Sequence, residues 1–173
     1  FGEALRPEFT AYNQAVLDNA RALAGLSTVD VENAAQAARE KGKVGSWLIP
    51  LLNTTQQPLL ATLSDRQTRE QLFRNACRRA EKGDQNDTRE IVLQLAQLRK
   101  EQAALMGFEN YASWKIADQM AQTPSAAQAF LDSLVPAATA RAAQELADIQ
   151  QEIDRQQGGF TAQAWDWPFY GEQ

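Results

Sequence analysis

Paired carboxylates are the most obvious side chains in this sequence that could perform chemistry. Glu145 and Glu152 lie seven residues apart, and Asp148 lies four residues before Glu152. Both spacings place the two groups on one face of a helix, and a pair of carboxyl groups is the minimum for general acid and base catalysis. Charged helical residues are mostly solvated. We therefore interpret these pairs as an exposed helix face, with a metal-independent hydrolase as the weakest of the functional alternatives.

Other nucleophilic or metal-dependent chemistry lacks its usual residues. The sequence has no histidine and one cysteine, Cys77. Without a histidine base the thiol is not activated, and zinc loses its commonest ligand. Cys77 lies on the apolar stripe of a predicted helix, which predicts a buried structural cysteine. We expect this chain to supply no catalytic and no metal-ligating residue, and the sequence leaves its substrate-binding residues unknown.

A basic cluster is one candidate binding surface. Its residues recur over two turns of a predicted helix, and they are Arg74, Arg78, Arg79 and Lys82. Such a cluster could bind an anionic partner. Glu70 and Glu81 are close enough to pair with it, which favours a solvated, salt-bridged face.

An aromatic cluster near the end of the chain is the second candidate, and it consists of Trp165, Trp167, Phe169 and Tyr170. It could line a substrate channel. Aromatic residues at this density more often anchor a core, because each buries a large area. Residues 164–173 look like the start of a truncated helix, with Asp166 as its cap and Pro168 in its first turn.

Composition restricts the class of protein that must position these residues. The chain has 173 residues, 44% of them apolar, a net charge of −5 and a pI near 4.8. This acidic balance argues against a nucleic-acid binder. No apolar run approaches the roughly 18 residues of a membrane span, and we expect no membrane partner. A single cysteine weakly favours a reducing compartment.

Helix-favouring residues dominate the sequence, and the order of caps and stops predicts an all-α fold of long helices. The predicted helices cover about 7–24, 28–41, 58–63, 65–82, 87–106, 109–121 and 124–157. Ser64 is the predicted cap of the fourth helix, and Pro136 should kink or interrupt the last one. The 4-4-3-4 spacing of Ala138, Ala142, Leu146, Ile149 and Ile153 predicts a packed seam along it. The helices are expected to be antiparallel, with at most one short extended segment, at residues 47–52.

Several short strings then combine into a specific pattern. They are Asn53-Thr-Thr-Gln-Gln-Pro58, Asp65-Arg-Gln-Thr-Arg-Glu70, Asn86-Asp-Thr-Arg89, Leu105-Met-Gly-Phe108, Tyr111-Ala-Ser-Trp114, Asp118-Gln-Met-Ala-Gln-Thr-Pro124 and Trp165-Asp-Trp167. In order and spacing, over about 23–173, they resemble the bacterial peptidyl-dipeptidase branch of the thimet oligopeptidase family. Relatives usually have a longer connection before the Leu23-Ala-Gly-Leu26 string, which weakens the prediction of a helix at 7–24.

The resemblance implies a larger, mostly helical zinc metallopeptidase of two lobes around a deep channel. Its peptidyl-dipeptidases release dipeptides from the C-termini of short peptides. Their zinc site is a His-Glu-x-x-His helix with a downstream glutamate, and this sequence contains none of those positions. Residues 1–173 would then be one helical region of the channel wall, located upstream of the zinc motif and inactive alone.

This interpretation also predicts the cofactor, the cellular location and the partners of the protein. The parent would bind zinc and be cytoplasmic, whereas this chain would bind no cofactor. Its partners would be short peptides in the channel and the remainder of the same polypeptide, with self-association through exposed apolar surface. The alternative is a stand-alone helical interaction or scaffold module, in which the seam from Ala138 to Ile153 binds a partner helix.

Overall fold

The computed structural model describes residues 14–52, 56–84 and 86–171. Seven α-helices and two short strands lie in these ranges, and the predominance of helix confirms the predicted all-α class. The strands are β1 (Gln14–Leu17) and β2 (Trp47–Pro50). The helices are α1 (Thr28–Glu40), α2 (Gln56–Thr62), α3 (Arg66–Cys77), α4 (Arg89–Leu105), α5 (Tyr111–Ile116), α6 (Pro124–Arg155) and α7 (Trp167–Tyr170).

The chain divides into two compact units. Unit 1 comprises Phe1–Asn86 and Leu146–Gln173, and unit 2 comprises Asp87–Glu145. Two apolar cores lie among the described residues of unit 1. The larger contains Leu17, Leu23, Ala34, Ile49, Leu51, Leu60, Leu63 and Leu72, and the smaller contains Ile149, Ile153 and Ala162.

A two-stranded antiparallel sheet replaces part of the first predicted helix. Val16 faces Leu48 and Gln14 faces Pro50, and the helix prediction for 7–24 is therefore wrong over β1. A 3-10 helix follows at Ala20–Leu23, and residues 7–13 lie outside the described ranges. Helical spacing of a few apolar residues cannot exclude a strand whose partner lies about 30 residues away. The extended segment predicted at 47–52 is confirmed as β2, but the expectation of at most one such segment is wrong, because β1 supplies its hydrogen-bonded partner.

Most of the helix caps predicted from the sequence are present in the structure. The Ser27 hydroxyl oxygen accepts a hydrogen bond from the Asp30 N–H at 3.1 Å, as the cap of α1 should. The Thr123 hydroxyl oxygen likewise accepts from the Ala126 N–H at 3.2 Å, at the start of α6. The predicted cap of α3 is off by one residue, because the Asp65 carboxylate takes this role.

Several helix boundaries differ from the predictions. α3 ends at Cys77 rather than at residue 82, and α5 is limited to Tyr111–Ile116. α6 continues through Pro136 without interruption; a single missing N–H leaves the hydrogen bonds of the flanking turns in place. The predicted seam is buried only at Ile149 and Ile153, whereas Leu146 is 40% exposed.

Candidate functional site

The best-defined polar site of unit 1 joins two arginines of α3 to an aspartate about 100 residues later in the chain. Arg66 and Arg69 are three residues apart, which places both on one face of α3. Asp166 lies immediately before α7. We call these residues the Arg66–Arg69–Asp166 cluster.

Hydrogen bonds in the cluster surround the aspartate carboxylate. Arg66 donates from Nε to Oδ1 at 3.1 Å and from Nη2 to Oδ2 at 2.9 Å, the paired geometry that suits a guanidinium and a carboxylate. Arg69 donates from Nη2 to Oδ1 at 3.0 Å, and the Gln163 N–H donates to Oδ2 at 3.0 Å. The carboxylate of Asp166 is fully buried, and the Arg69 side chain is 1% exposed. The charges therefore lie where an unpaired ion would be costly.

Arg69 also connects the cluster to the start of α3. Its Nη1 donates to the carbonyl oxygens of Leu63 at 2.8 Å and Ser64 at 3.2 Å. Its guanidinium carbon lies 4.3 Å from the centre of the Phe169 ring, a cation–π distance. One side chain thus links the α2–α3 connection, α3 and α7.

The aromatic cluster packs inside unit 1. Trp165 is 8% exposed, and its ring centre lies 6.1 Å from that of Phe73. Trp167 and Tyr170 are partly buried against the smaller apolar core. These contacts confirm that the cluster anchors a core. Asp166 is the N-cap residue of α7, as predicted, but its side chain makes no cap hydrogen bond to the helix and instead binds the two arginines.

The carboxylate pairs proposed from sequence have partners on their own helix. An oxygen of Glu145 accepts from Arg141 Nε at 2.7 Å, and an oxygen of Glu152 accepts from Arg155 Nε at 2.7 Å. The hydrogen bond from Arg155 lowers the pKa of the Glu152 carboxyl below its ordinary value, and a hydrogen bond from Gln156 adds to this effect. A general acid would need a raised pKa, so these contacts agree with the exposed-face interpretation.

The basic cluster behaves as a salt-bridged face. Arg74 binds Glu70 at 2.7 Å, and Arg78 lies 3.9 Å from Glu81. Arg79 instead donates to two main-chain carbonyl oxygens, at 2.8 and 3.1 Å, and so supports the fold.

The prediction of a buried Cys77 is wrong, since the residue is exposed. It is the last residue of α3, so the apolar stripe of the helix has no further turn to continue it. Cys77 lines an open groove of about 620 Å³ with Phe73, Arg79 and Pro168 among its neighbours.

The donor set of the described residues does not fit a zinc ion. Zinc in proteins takes three or four ligands, usually His, Cys, Asp or Glu. The sequence has no histidine. Across residues 14–52, 56–84 and 86–171, no three His, Cys, Asp or Glu side chains lie close enough together to hold a metal ion. No step of metal chemistry is therefore assigned to these residues.

Sequence reasoning missed Arg66 and Arg69 as partners of Asp166. One signal was available: Arg69 lies three residues before Leu72 on the buried face of α3, where a cation needs an anion. The sequence does not indicate which of its 22 acidic residues supplies that anion.

Comparison with known proteins supplies the class that the geometry leaves open. Residues 59–173 of this predominantly helical chain match the model of peptidase family M3. The chain belongs to this family, which confirms the resemblance seen in the sequence. It is 60% identical over 157 residues to a dipeptidyl carboxypeptidase of Salmonella typhimurium and 59% identical over 158 residues to one of Escherichia coli. Each alignment covers 91% of this chain and 23% of the relative.

A more distant relative extends the comparison. Oligopeptidase A of Haemophilus influenzae is 28% identical over 162 residues, which cover 91% of this chain and 24% of that protein. The chain thus spans about a quarter of the length of the curated relatives it matches. Within its described residues, no helix has the length and apolar character required to cross a bilayer.

Proposed function

We propose that this chain is a helical segment of a zinc metallopeptidase that releases dipeptides from the C-termini of short peptides. The observation that carries the proposal is the identity of about 60% to two dipeptidyl carboxypeptidases over 91% of this chain. The catalytic zinc, which polarises the scissile carbonyl and activates water, would be held by residues elsewhere in the parent. The segment itself would be inactive.

The role proposed for this segment is to build part of the wall of a substrate channel. A channel that admits flexible short peptides and excludes folded proteins needs walls that keep their shape. The Arg66–Arg69–Asp166 cluster supports such a role, because it holds α3 and α7 together through buried, charge-assisted hydrogen bonds. The parent would be cytoplasmic, in agreement with the lone cysteine.

The first experiment is to determine the reading frame around this sequence and to express the whole polypeptide. We expect a His-Glu-x-x-His helix downstream of residue 173 and a downstream glutamate. The purified polypeptide should release C-terminal dipeptides from N-terminally blocked tetrapeptides, and a chelator should abolish the release. Substitution of the motif glutamate by glutamine should have the same effect. A polypeptide without the motif, or one that is inactive with zinc bound, would contradict the proposal.

The isolated chain is the matched control. It should hydrolyse none of these peptides, with or without added zinc. Calorimetric titration with zinc should show no stoichiometric submicromolar site, because the ligand set is missing. A tight site in this chain would refute the assignment of zinc to the rest of the parent.

The competing proposal, a stand-alone helical interaction module, rests on the exposed Ala-rich part of α6. Its seam residues before Ile149 are exposed and could receive a partner helix. It would be favoured by a reading frame that carries no zinc motif.

A further inference from the structure

Unit 2 lacks an apolar core of its own. The structure describes every residue of this unit, and Ala103 is the only one of them that is buried. Helical stability in proteins comes mainly from packing of an apolar face rather than from intrinsic propensity. The three helical segments of unit 2 therefore need apolar contacts beyond those they make within the unit.

α4 presents an apolar face, interrupted at Gln102, that these contacts would use. Ile91, Leu95, Leu98 and Leu105 follow each other at intervals of four, three and seven residues, which places them on one side of the helix. Their exposed fractions run from 43% at Leu95 to 88% at Leu105. All four side chains are aliphatic and exposed, so the surface they form suits an apolar partner.

The part of α6 that belongs to unit 2 carries a second exposed apolar group. Phe130, Leu131, Leu134 and Val135 are each at least 50% exposed. Monomeric proteins seldom leave contiguous apolar surface of this kind uncovered unless it is an interaction site. α4 and this part of α6 thus both suit an apolar partner.

We propose that an amphipathic helix from another part of the same polypeptide covers the α4 face. This inference rests on the proposed function in one respect, namely that the chain is a segment of a longer peptidase. The relatives that share about 60% identity have roughly three quarters of their length outside the matched region. A helix within the same polypeptide acts at an effective concentration in the millimolar range, well above that of a second copy in dilute solution. The partner helix should present leucine-like side chains at positions i, i+3, i+4 and i+7.

The test compares one substitution in two forms of the protein. Leu98→Glu places a charge at the centre of the α4 face, and Val44→Glu places the same charge at a site of unit 1 that is 82% exposed. In the full-length polypeptide, Leu98→Glu should lower the melting temperature by several degrees, whereas Val44→Glu should leave it unchanged. In the 173-residue chain, neither substitution should change it.

Hydrogen exchange of the unsubstituted protein gives an independent measurement and remains informative if the full-length Leu98→Glu variant fails to fold. Amides of α4 should exchange at least tenfold more slowly in the full-length polypeptide than in the 173-residue chain. Equal exchange rates, or equal tolerance of both substitutions in the full-length polypeptide, would overturn the proposal.

Two further outcomes would identify a different occupant and would also overturn it. If Leu98→Glu dissociates a dimer of the full-length polypeptide, a second copy covers the face. If it destabilises the 173-residue chain as strongly as the full-length polypeptide, the face is covered within this chain. None of these measurements depends on catalysis. A full-length polypeptide that protects α4 but cleaves no peptide would contradict the proposed function and leave this inference standing.

Discussion

Replacing Asp166 by asparagine should destabilise unit 1 strongly. The side chain keeps its size and one acceptor oxygen but loses the charge that two arginines share. Arg69, with 1% of its side chain exposed, then remains buried without an anion. Removing one partner of a buried pair typically costs about 3–5 kcal/mol. This is a large part of the roughly 5–15 kcal/mol that holds a domain folded.

The two arginines should differ in importance. The Arg66 side chain is 31% exposed, so solvent screens its pairing, and we expect Arg66→Ala to cost about 1 kcal/mol. Arg69→Met should cost more, because the Leu63 and Ser64 carbonyl oxygens lose their donor as well. The double variant Asp166→Asn with Arg69→Met should be more stable than Asp166→Asn alone, because no uncompensated buried cation remains.

Urea unfolding followed by tryptophan fluorescence measures these differences. Trp165 and Trp167 lie next to the cluster and report on unit 1. Glu70→Gln is the matched control within unit 1, since it removes one carboxylate from a pair whose Arg74 side chain is 53% exposed. It should change the free energy of unfolding by less than about 1 kcal/mol. Equal effects of Asp166→Asn and Glu70→Gln, or additive effects in the double variant, would refute the reasoning.

Three further predictions use other features of the chain. Gly25→Ala should lower the melting temperature far more than Gly45→Ala, although both glycines have positive φ. A Cβ at position 25 would lie 2.1 Å from a main-chain oxygen, whereas a Cβ at position 45 meets no atom within 4 Å. Deletion of residues 164–173 removes Asp166 together with the aromatic cluster that packs inside unit 1, so it should lower the melting temperature; an unchanged melting temperature would contradict this. Arg155 lowers the pKa of Glu152 in the folded protein. The pair should therefore stabilise the fold at pH values above the ordinary carboxyl pKa and lose this effect as the pH falls through the lowered pKa. Arg155→Gln should raise the Glu152 pKa in a carbon-detected NMR titration.

Short-range signals in the sequence were sufficient for the class of fold and for several helix starts. The Ser27 cap and the Thr123-Pro124 start of α6 are both present in the structure. A cap acts over three residues and helical periodicity over four, so both can be seen in the sequence alone. Family membership was also predictable, because the ordered strings extend over most of the chain.

What the sequence by itself determined is therefore the helical character of this protein, its main caps and its family. Only the tertiary structure decided that β1 pairs with β2, that Cys77 is exposed and that Asp166 binds Arg66 and Arg69. The physical reason is distance along the chain. A strand or an ion pair is specified by a partner about 30 or 100 residues away, and the same local pattern suits a helix or a cap until folding brings that partner into contact.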